Sequence, residues 1–362
     1  MGKPGPLGSL AARDISQAIE RARRSQVATE KRRRALAPYG QALKLLDQGK
    51  DYVLQSTREA ETPFPFENLL KAAQLLEEAL RQDDTFPEAA AKLAWSYRMA
   101  AEYDERMWPK ALAMAGRALA ADPGSADANF VRGYVSMFRE WDFRAAAQSL
   151  EQCIRRSILD QGSWRLYAGA MCVLGRAEEA RKKIVTVLSV LPASVILRYA
   201  LFGLAEQTKD LAEIERLARE MPKSGPSAAL GEAMLASAFH WQGRHREAEQ
   251  LFHGILSKDP RNGKAITRLA LLYVSMGKLD RAAAAVESAD GHRRWPILVG
   301  VVEAARGNRL RALGWVERAV RERDPNLPYA TLHPHFDRLR SEPLCAQLLK
   351  QFSSGGWGSA HL

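Results

Sequence analysis

The chain has 362 residues, a formal net charge of +11 and an ordinary share of apolar residues, 46%. This composition allows a continuous apolar core. Three cysteines do not make a disulfide framework and favour a reducing, cytoplasmic setting. No stretch approaches the roughly 18 apolar residues that a membrane-spanning helix needs, so we expect no membrane span. The first nine residues, MGKPGPLGS, are typical of a cloning remnant, so we expect the sequence to be a piece of a longer protein.

Residues 10–36 form a basic segment in which arginine and lysine outnumber aspartate and glutamate. No glycine or proline lies between Ala11 and Leu36, which predicts a helix. One interpretation is a solvated linker helix. The other is a basic arm that contacts nucleic acid or acidic lipid. The segment has no interleaved aromatic residues on which bases could stack, which weakens the nucleic-acid interpretation.

A repeated pattern of glycine, alanine and proline dominates the middle of the chain. Alanine follows each glycine after five residues, and proline follows the first two alanines after twelve. The equivalent positions are Gly175, Gly243 and Gly277, then Ala180, Ala248 and Ala282, then Pro192 and Pro260. Equivalent positions are separated by 34 residues or by twice 34. This period and these residue types resemble the tetratricopeptide repeat, a unit of two antiparallel helices.

The residue types of one unit explain its predicted structure. Apolar residues from Trp164 onward recur at helical spacing and form one stripe. Ala168 leaves room for the second helix, and Gly175 ends the first helix where a left-handed residue is needed. Ala180 begins the packing face of the second helix, and Pro192 ends the unit. A single hairpin cannot bury its own apolar faces, so neighbouring units must stack.

We therefore predict an all-α fold, a superhelical solenoid of about eight helical hairpins over residues 37–323. The first helix is expected at residues 37–56 and its partner at 68–82. The turn around residues 105–109 is about five residues too long, the unit from Val195 is degenerate with a short second helix, and the last unit, around Gly307, is shortened. Residues 324–362 are predicted to form a proline-rich tail and a C-terminal capping helix.

The tail carries a more specific resemblance. Residues 324–343 read DPNLPYATLHPHFDRLRSEP, and residues 133–143 read GYVSMFREWDF with a Trp-Asp pair after an early first helix. Both stretches resemble the C-terminal tetratricopeptide arrays of bacterial adenylate cyclases, winged-helix transcriptional regulators and some serine/threonine kinases. No cyclase, kinase or winged-helix domain is present in this sequence. The resemblance implies a bacterial interaction array linked to signalling or transcription regulation.

The resemblance also implies which residues face the concave side of the array, because positions two, five, nine, twelve and thirteen of each unit point inward. We predict a groove for a protein or peptide partner, and arginine beside aromatic residues suits an acidic one. Some of these aromatic side chains could instead pack against neighbouring helices. The predicted partner-binding residues are Trp95, Arg98, Phe130, Tyr134, Phe138, Arg165, Tyr199, His240 and Lys264, and the same mapping also places Met137 and Trp241 inward.

No residue pattern supports catalysis, a cofactor or a metal ion. His240, His245 and His253 lack the spacing that places two ligands on one helix face, and the nucleotide-binding and hydrolase motifs are missing from the sequence. We therefore expect a non-enzymatic interaction module without cofactor or metal. Two alternatives stay open. One is a nucleic-acid-linked regulator or ligand sensor that uses residues 10–36, and the other is an array whose main role is to form a homodimer.

Overall fold

A computed structural model describes residues 6–55, 66–224, 227–260, 262–288, 295–324, 327–330 and 336–347. All regular elements in these ranges are helical, which confirms the predicted fold class. The chain forms two compact units, one of residues 1–51 and 64–128 and the other of residues 52–63 and 129–362. Residues 56–65, His333, His335 and residues 348–362 of the predicted tail and capping helix lie outside the described residues.

The first unit contains four helices. They are α1 (Pro6–Gln55), α2 (Phe66–Gln82), α3 (Pro87–Ala100) and α4 (Met107–Ala121). Helix α1 continues through residue 36, so the predicted basic segment and the predicted first apolar helix are one helix. Arg32 joins α1 to the loop after α2, because its guanidinium pairs with Asp83 and lies 4.0 Å from the centroid of the Phe86 ring. The turn between α3 and α4 spans residues 101–106 and is longer than the three-residue turns of later hairpins such as 174–176, although residues 107–109 of the predicted long turn already belong to α4.

The second unit is a succession of helical hairpins in which odd-numbered helices come first and even-numbered helices second. Helix α5 (Ala126–Val135) begins in the first unit and is extended by a π-turn at Ser136–Glu140. The helices that follow are α6 (Phe143–Arg156), α7 (Gln161–Val173), α8 (Ala177–Val190), α9 (Val195–Thr208), α10 (Leu211–Arg219), α11 (Ala228–Trp241), α12 (His245–Lys258), α13 (Gly263–Ser275), α14 (Leu279–Ser288), α15 (Pro296–Ala305), α16 (Arg309–Arg321), and the short α17 (Leu327–Ala330) and α18 (Asp337–Arg340). The short α10 confirms the predicted degenerate unit.

One left-handed residue stands between the two helices of each hairpin from α5 to α14. These residues recur every 34 positions, at Trp141, Gly175, Lys209, Gly243 and Gly277, with φ between 56° and 76°. The period read from three glycines therefore extends over five hairpins. Two of the five turns use a residue with a Cβ, for which the left-handed conformation costs about 1–2 kcal/mol.

The two turns without glycine share a second feature. Trp141 is followed by Asp142, whose carboxylate accepts a hydrogen bond of 2.9 Å from the backbone N–H of Ala145. Lys209 is followed by Asp210, which caps α10 in the same way, at 3.1 Å. An N-cap of this kind stabilises a helix by about 1 kcal/mol, which offsets much of the backbone strain. The Trp-Asp pair is thus a buried turn residue followed by a helix cap.

The core lies between the first and second helices of successive hairpins. The predicted small packing residues Ala180, Ala248 and Ala282 are fully buried. Gly133 marks an especially close approach, because a Cβ added there would lie 2.7 Å from Cγ of Leu150 on α6. Small residues at such crossings let two helix backbones approach, as the repeat pattern predicts.

The described part of the tail packs on the core of the second unit. Asp324 is buried, and its carboxylate accepts a hydrogen bond of 3.0 Å from the backbone N–H of Ile297 at the start of α15. Farther along, Phe336, Leu339 and Cys345 are buried in the main apolar cluster. The elements α17 and α18 in this part of the chain have four residues each.

Candidate functional site on the first helices of the second unit

The predicted binding residues fall in both units. Trp95 and Arg98 lie on α3 of the first unit, and the other seven lie in the second unit. The side chain of Arg98 is only 12% exposed and forms an ion pair of 3.4 Å with Glu102, so most of it is occupied within its own helix and turn. The candidate site therefore consists of residues of the second unit alone.

Three aromatic side chains form a row along α5 and the π-turn that follows it. The ring centroids of Phe130 and Tyr134 are 6.4 Å apart, and those of Tyr134 and Phe138 are 4.6 Å apart. All three rings are partly buried and pack with one side on the core. The prediction that Met137 faces the groove is wrong, since Met137 is 2% exposed. A π-turn holds an extra residue, which changes the direction of the side chains inside it.

Arg165 continues this surface on α7. Its side chain is exposed, one helical turn after Gly162. A Cβ at Gly162 would lie 3.9 Å from the ring of Phe130, so this turn of α7 is next to the aromatic row. Arg165 also contributes to the electrostatic field at Tyr199 on α9. Arg165 thus lies between the aromatic row of α5 and the tyrosine of α9.

Tyr199 is surrounded by cations. Nζ of Lys264 on α13 lies 5.3 Å from the centroid of the Tyr199 ring. Burial and Glu206 act to raise the pKa of the Tyr199 hydroxyl, but Lys264, Arg268 and Arg165 act in the opposite direction. The pKa of Tyr199 lies below its ordinary value, because the three cations together outweigh burial and the carboxylate.

An ion pair that the repeat pattern did not predict spans the same surface. The guanidinium of Arg268 on α13 donates to both carboxylate oxygens of Glu206 on α9, at 2.6 and 3.0 Å. Arg268 also donates to the Ser237 hydroxyl on α11, at 2.6 Å, and the indole N–H of Trp241 donates to Glu206, at 3.2 Å. Side chains of α9 and α13 therefore meet across α11.

We call the surface formed by Phe130, Tyr134, Phe138, Arg165, Tyr199 and Lys264 the first-helix face. The predicted residue His240 lies beside it on α11. Its imidazole is stacked on the Trp241 ring, with centroids 5.8 Å apart, and its Nε2 is 2.7 Å from the Ser275 hydroxyl. The structure thus brings the predicted residues of α7, α9 and α13 together around Tyr199, whereas His240 is held by its neighbours.

A buried cysteine lies near the first-helix face, on α7. The nearby thiol of Cys172 is buried, and burial together with Glu206 raises its pKa to about 12, so it stays protonated at neutral pH. Among the described residues, no three histidine, cysteine, aspartate or glutamate side chains are grouped to hold a metal ion. None of the described helices combines the length and apolar character needed to cross a bilayer.

Several cations of the basic segment are paired with carboxylates of the first unit. Arg32 is held by Asp83. Arg33 donates to Glu30 at 2.9 Å, and Arg34 donates to the same carboxylate at 3.1 Å. Three of the four consecutive basic residues at positions 31–34 therefore have acidic partners within the first unit.

Residues 242–294 match the family model of the tetratricopeptide repeat. The chain carries a tetratricopeptide repeat. The matched segment covers the turn at Gly243, helices α12 to α14 and the turn at Gly277, two of the five turns that share the 34-residue period. No curated protein is significantly similar to this chain in sequence.

The fold is similar to several solved structures. The Rap protein complexed with Competence and Sporulation Factor is 14% identical, with 87% of this chain and 96% of that chain covered and a TM-score of 0.51. A tetratricopeptide repeat protein from Parabacteroides merdae is 16% identical, covering 86% of this chain and 98% of its own, with a TM-score of 0.41. Yeast Tom70 is 15% identical, covering 96% and 78%, with a TM-score of 0.46. These similarities describe the fold alone.

Proposed function

We propose that the chain is a non-enzymatic interaction module that binds an acidic segment of a protein or peptide on the first-helix face. The supporting observation is the combination of a row of three partly exposed aromatic rings with the group of cations around Tyr199. Aromatic residues and arginine contribute most of the binding energy at many protein interfaces.

The arrangement suggests how the segment would bind. Its apolar or aromatic side chains would lie against Tyr134 and Phe138, whose inner sides already rest on the core. Its carboxylates would pair with Arg165 and Lys264, both of which are exposed. Arg268 is committed to Glu206, so its role would be to hold the face in shape. The net positive charge of the chain would accelerate the encounter with an acidic partner.

The resemblance of the tail and of the Trp-Asp pair suggests the setting. We infer a cytoplasmic sensory or scaffolding part of a bacterial signalling or regulatory protein. In that setting, capture of a partner on the first-helix face would be conveyed to another domain or protein. The absence of turnover of ATP, GTP or phosphoesters by the purified chain is expected. Robust turnover that a single substitution abolishes would contradict the non-enzymatic role.

The binding proposal is tested by selecting displayed random peptides on the purified chain. We expect the selected peptides to be rich in carboxylates and aromatic residues. The double variant Tyr134→Ala with Arg165→Glu is expected to bind them at least about tenfold more weakly, the equivalent of about 1.4 kcal/mol. Both side chains are at least partly exposed, so circular dichroism should show an intact helical fold.

The matched control is Arg144→Glu, which makes the same charge reversal at an exposed position of a second helix, α6. This variant is expected to bind the selected peptides like the wild type. Equal affinity of the wild type and of the Tyr134→Ala, Arg165→Glu variant would place the binding site away from the first-helix face. Equal weakening by Arg144→Glu would show that only the overall charge matters.

A further inference from the structure

A groove of about 420 Å³ lies between α2 and α4 of the first unit, on the side of the second helices. Its floor is apolar and includes Leu80 of α2, Leu93 of α3 and Met114 of α4. The groove is open because α4 places the small, exposed Ala113 opposite α2. This volume is at the lower end of the range for ligand pockets, about 300–1,000 Å³, so it suits one anchoring side chain and its flanking backbone.

Three cations surround this apolar floor. Lys110, Ala113 and Arg117 follow one another at helical spacing along α4, and Arg81 lies across the groove on α2. Arg81 pairs with Glu78 at 2.6 Å on the exposed side of α2, and Arg117 donates to the backbone carbonyl of Asp84. Such exposed contacts contribute little, so both guanidinium groups can turn toward an anion in the groove.

The one acidic side chain that lines the groove, Glu77, is already engaged. The hydroxyl of Tyr97 on α3 donates a hydrogen bond to its carboxylate. Burial, together with Glu77, raises the pKa of Tyr97, so the hydroxyl keeps its proton at neutral pH. Nζ of Lys110 lies 5.6 Å from the centroid of the Tyr97 ring. The groove therefore presents an excess of positive charge over an apolar floor.

A glutamate, a tyrosine and a lysine are also found together in the second unit, but they are paired differently from Glu77, Tyr97 and Lys110. On α6, α7 and α8, Nζ of Lys183 donates to Glu151 at 2.9 Å and lies 3.0 Å from the Tyr167 hydroxyl. There the lysine bridges the neighbouring second helices α6 and α8 through the glutamate. In the first unit, Glu77 accepts from Tyr97 and the groove between the second helices stays open.

We propose that this groove, the α2–α4 groove, is a second binding site that takes an acidic segment of a partner protein. One aliphatic or aromatic side chain of the segment packs on Leu80, Leu93 and Met114. Its flanking carboxylates pair with Lys110, Arg117 and Arg81. Charge complementarity selects this occupant, because the rim carries three cations and its single carboxylate is hydrogen-bonded. The groove lies on α2, α3 and α4 only, so it is distinct from the first-helix face of the second unit.

The test uses the full chain with ¹³C-methyl-labelled methionine, since Met114 lines the groove and its methyl signal can be assigned with Met114→Leu. The probe is a synthetic peptide in which two glutamates precede and two follow a single phenylalanine. Titration is expected to shift the Met114 signal. Ala113→Leu adds a larger side chain that fills the groove, and Lys110→Glu reverses one of its charges. Each variant should bind the peptide at least about tenfold more weakly than the wild type.

Two controls match these changes. Ala120→Leu adds the same side chain at another exposed position of α4 and should leave affinity unchanged. A peptide with glutamine in place of glutamate should bind at least about tenfold more weakly than the acidic peptide. An unmoved Met114 signal, or equal affinity for Ala113→Leu and the wild type, would overturn the site. Equal binding of the neutral peptide would overturn its assignment to acidic segments.

Discussion

Arg268 and Glu206 are joined by two hydrogen bonds although 62 residues separate them in the sequence. The pair connects α13 to α9 and passes over α11, where Ser237 offers a small side chain and a hydroxyl that accepts from Arg268. The guanidinium and the carboxylate are only 27% and 16% exposed. This pair therefore fixes the relation between hairpins that are not neighbours in the chain, which nearest-neighbour packing alone does not do.

Arg268→Ala should reduce the free energy of unfolding by about 2–3 kcal/mol, because it leaves the carboxylate of Glu206 partly buried with one remaining donor, Trp241. Urea denaturation followed by circular dichroism measures this change. The control is Arg281→Ala, which removes a 63% exposed partner of Glu249 and should cost less than about 1 kcal/mol. Similar losses in the two variants would show that the pair does not bridge the hairpins.

Lys209→Gly should stabilise the second unit by about 0.5–1 kcal/mol. Lysine adopts the left-handed conformation at this turn, and glycine removes the Cβ strain but adds freedom to the unfolded chain. The reverse change, Gly243→Ala at the equivalent turn, should destabilise by about 1 kcal/mol. Thermal denaturation measures both. A decrease in melting temperature for Lys209→Gly would mean that the lysine side chain contributes a contact worth more than the strain.

The comparison of these turns shows what the sequence could and could not predict. Glycine at Gly175, Gly243 and Gly277 revealed the period, because glycine is the residue that a left-handed turn favours. The same turn at Trp141 and Lys209 has no glycine to reveal it in the sequence, and the aspartate that follows offsets much of its backbone strain by capping the next helix. Only the constant spacing of 34 residues connects the five positions.

The site was less predictable than the fold for two physical reasons. Assigning inward positions assumes regular α-helices, and the π-turn at Ser136–Glu140 breaks that assumption and buries Met137. The Arg268–Glu206 pair joins hairpins that are not neighbours and passes over the small Ser237, and neither feature follows from the period of one repeat. The placement of Tyr134, Arg165 and Lys264 on a binding surface stays a prediction.

Gly133→Ala should destabilise the protein by about 1–3 kcal/mol, although alanine normally favours a helix by about 0.5–1 kcal/mol over glycine. The added methyl group would lie 2.7 Å from Cγ of Leu150, so α5 and α6 would have to separate. Gly203→Ala is a suitable control, because a Cβ there has no heavy atom within 4 Å and the change should be stabilising or neutral. Chemical denaturation of both variants measures the two changes in the free energy of unfolding, which are expected to differ in sign. Equal stabilisation would contradict the close crossing of α5 and α6.

The ionisation of Tyr199 tests the electrostatic field of the first-helix face. Subtracting the near-ultraviolet tyrosinate titration of Tyr199→Phe from that of the wild type isolates this residue. Its midpoint is expected below the value of about 10 for an unperturbed tyrosine, because Lys264, Arg268 and Arg165 together outweigh the effects of burial and of Glu206. Between the folded and unfolded pKa values the unfolded state binds more protons. The contribution of Tyr199 to the free energy of unfolding therefore rises with pH between these two pKa values. This contribution is lost as the pH falls through the pKa of the folded state.

Removing one cation should move the midpoint in a defined direction. Lys264→Met keeps a similar side-chain length and should raise the pKa of Tyr199, because Lys264 is the strongest of the three cations at the hydroxyl. Arg165→Met should raise it by a smaller amount, since Arg165 is the weakest. Lys182→Met, at an exposed position of the second helix α8, should leave the midpoint unchanged. A midpoint that stays constant or falls in Lys264→Met would show that the face does not favour negative charge. In that case an acidic partner would have no reason to choose it.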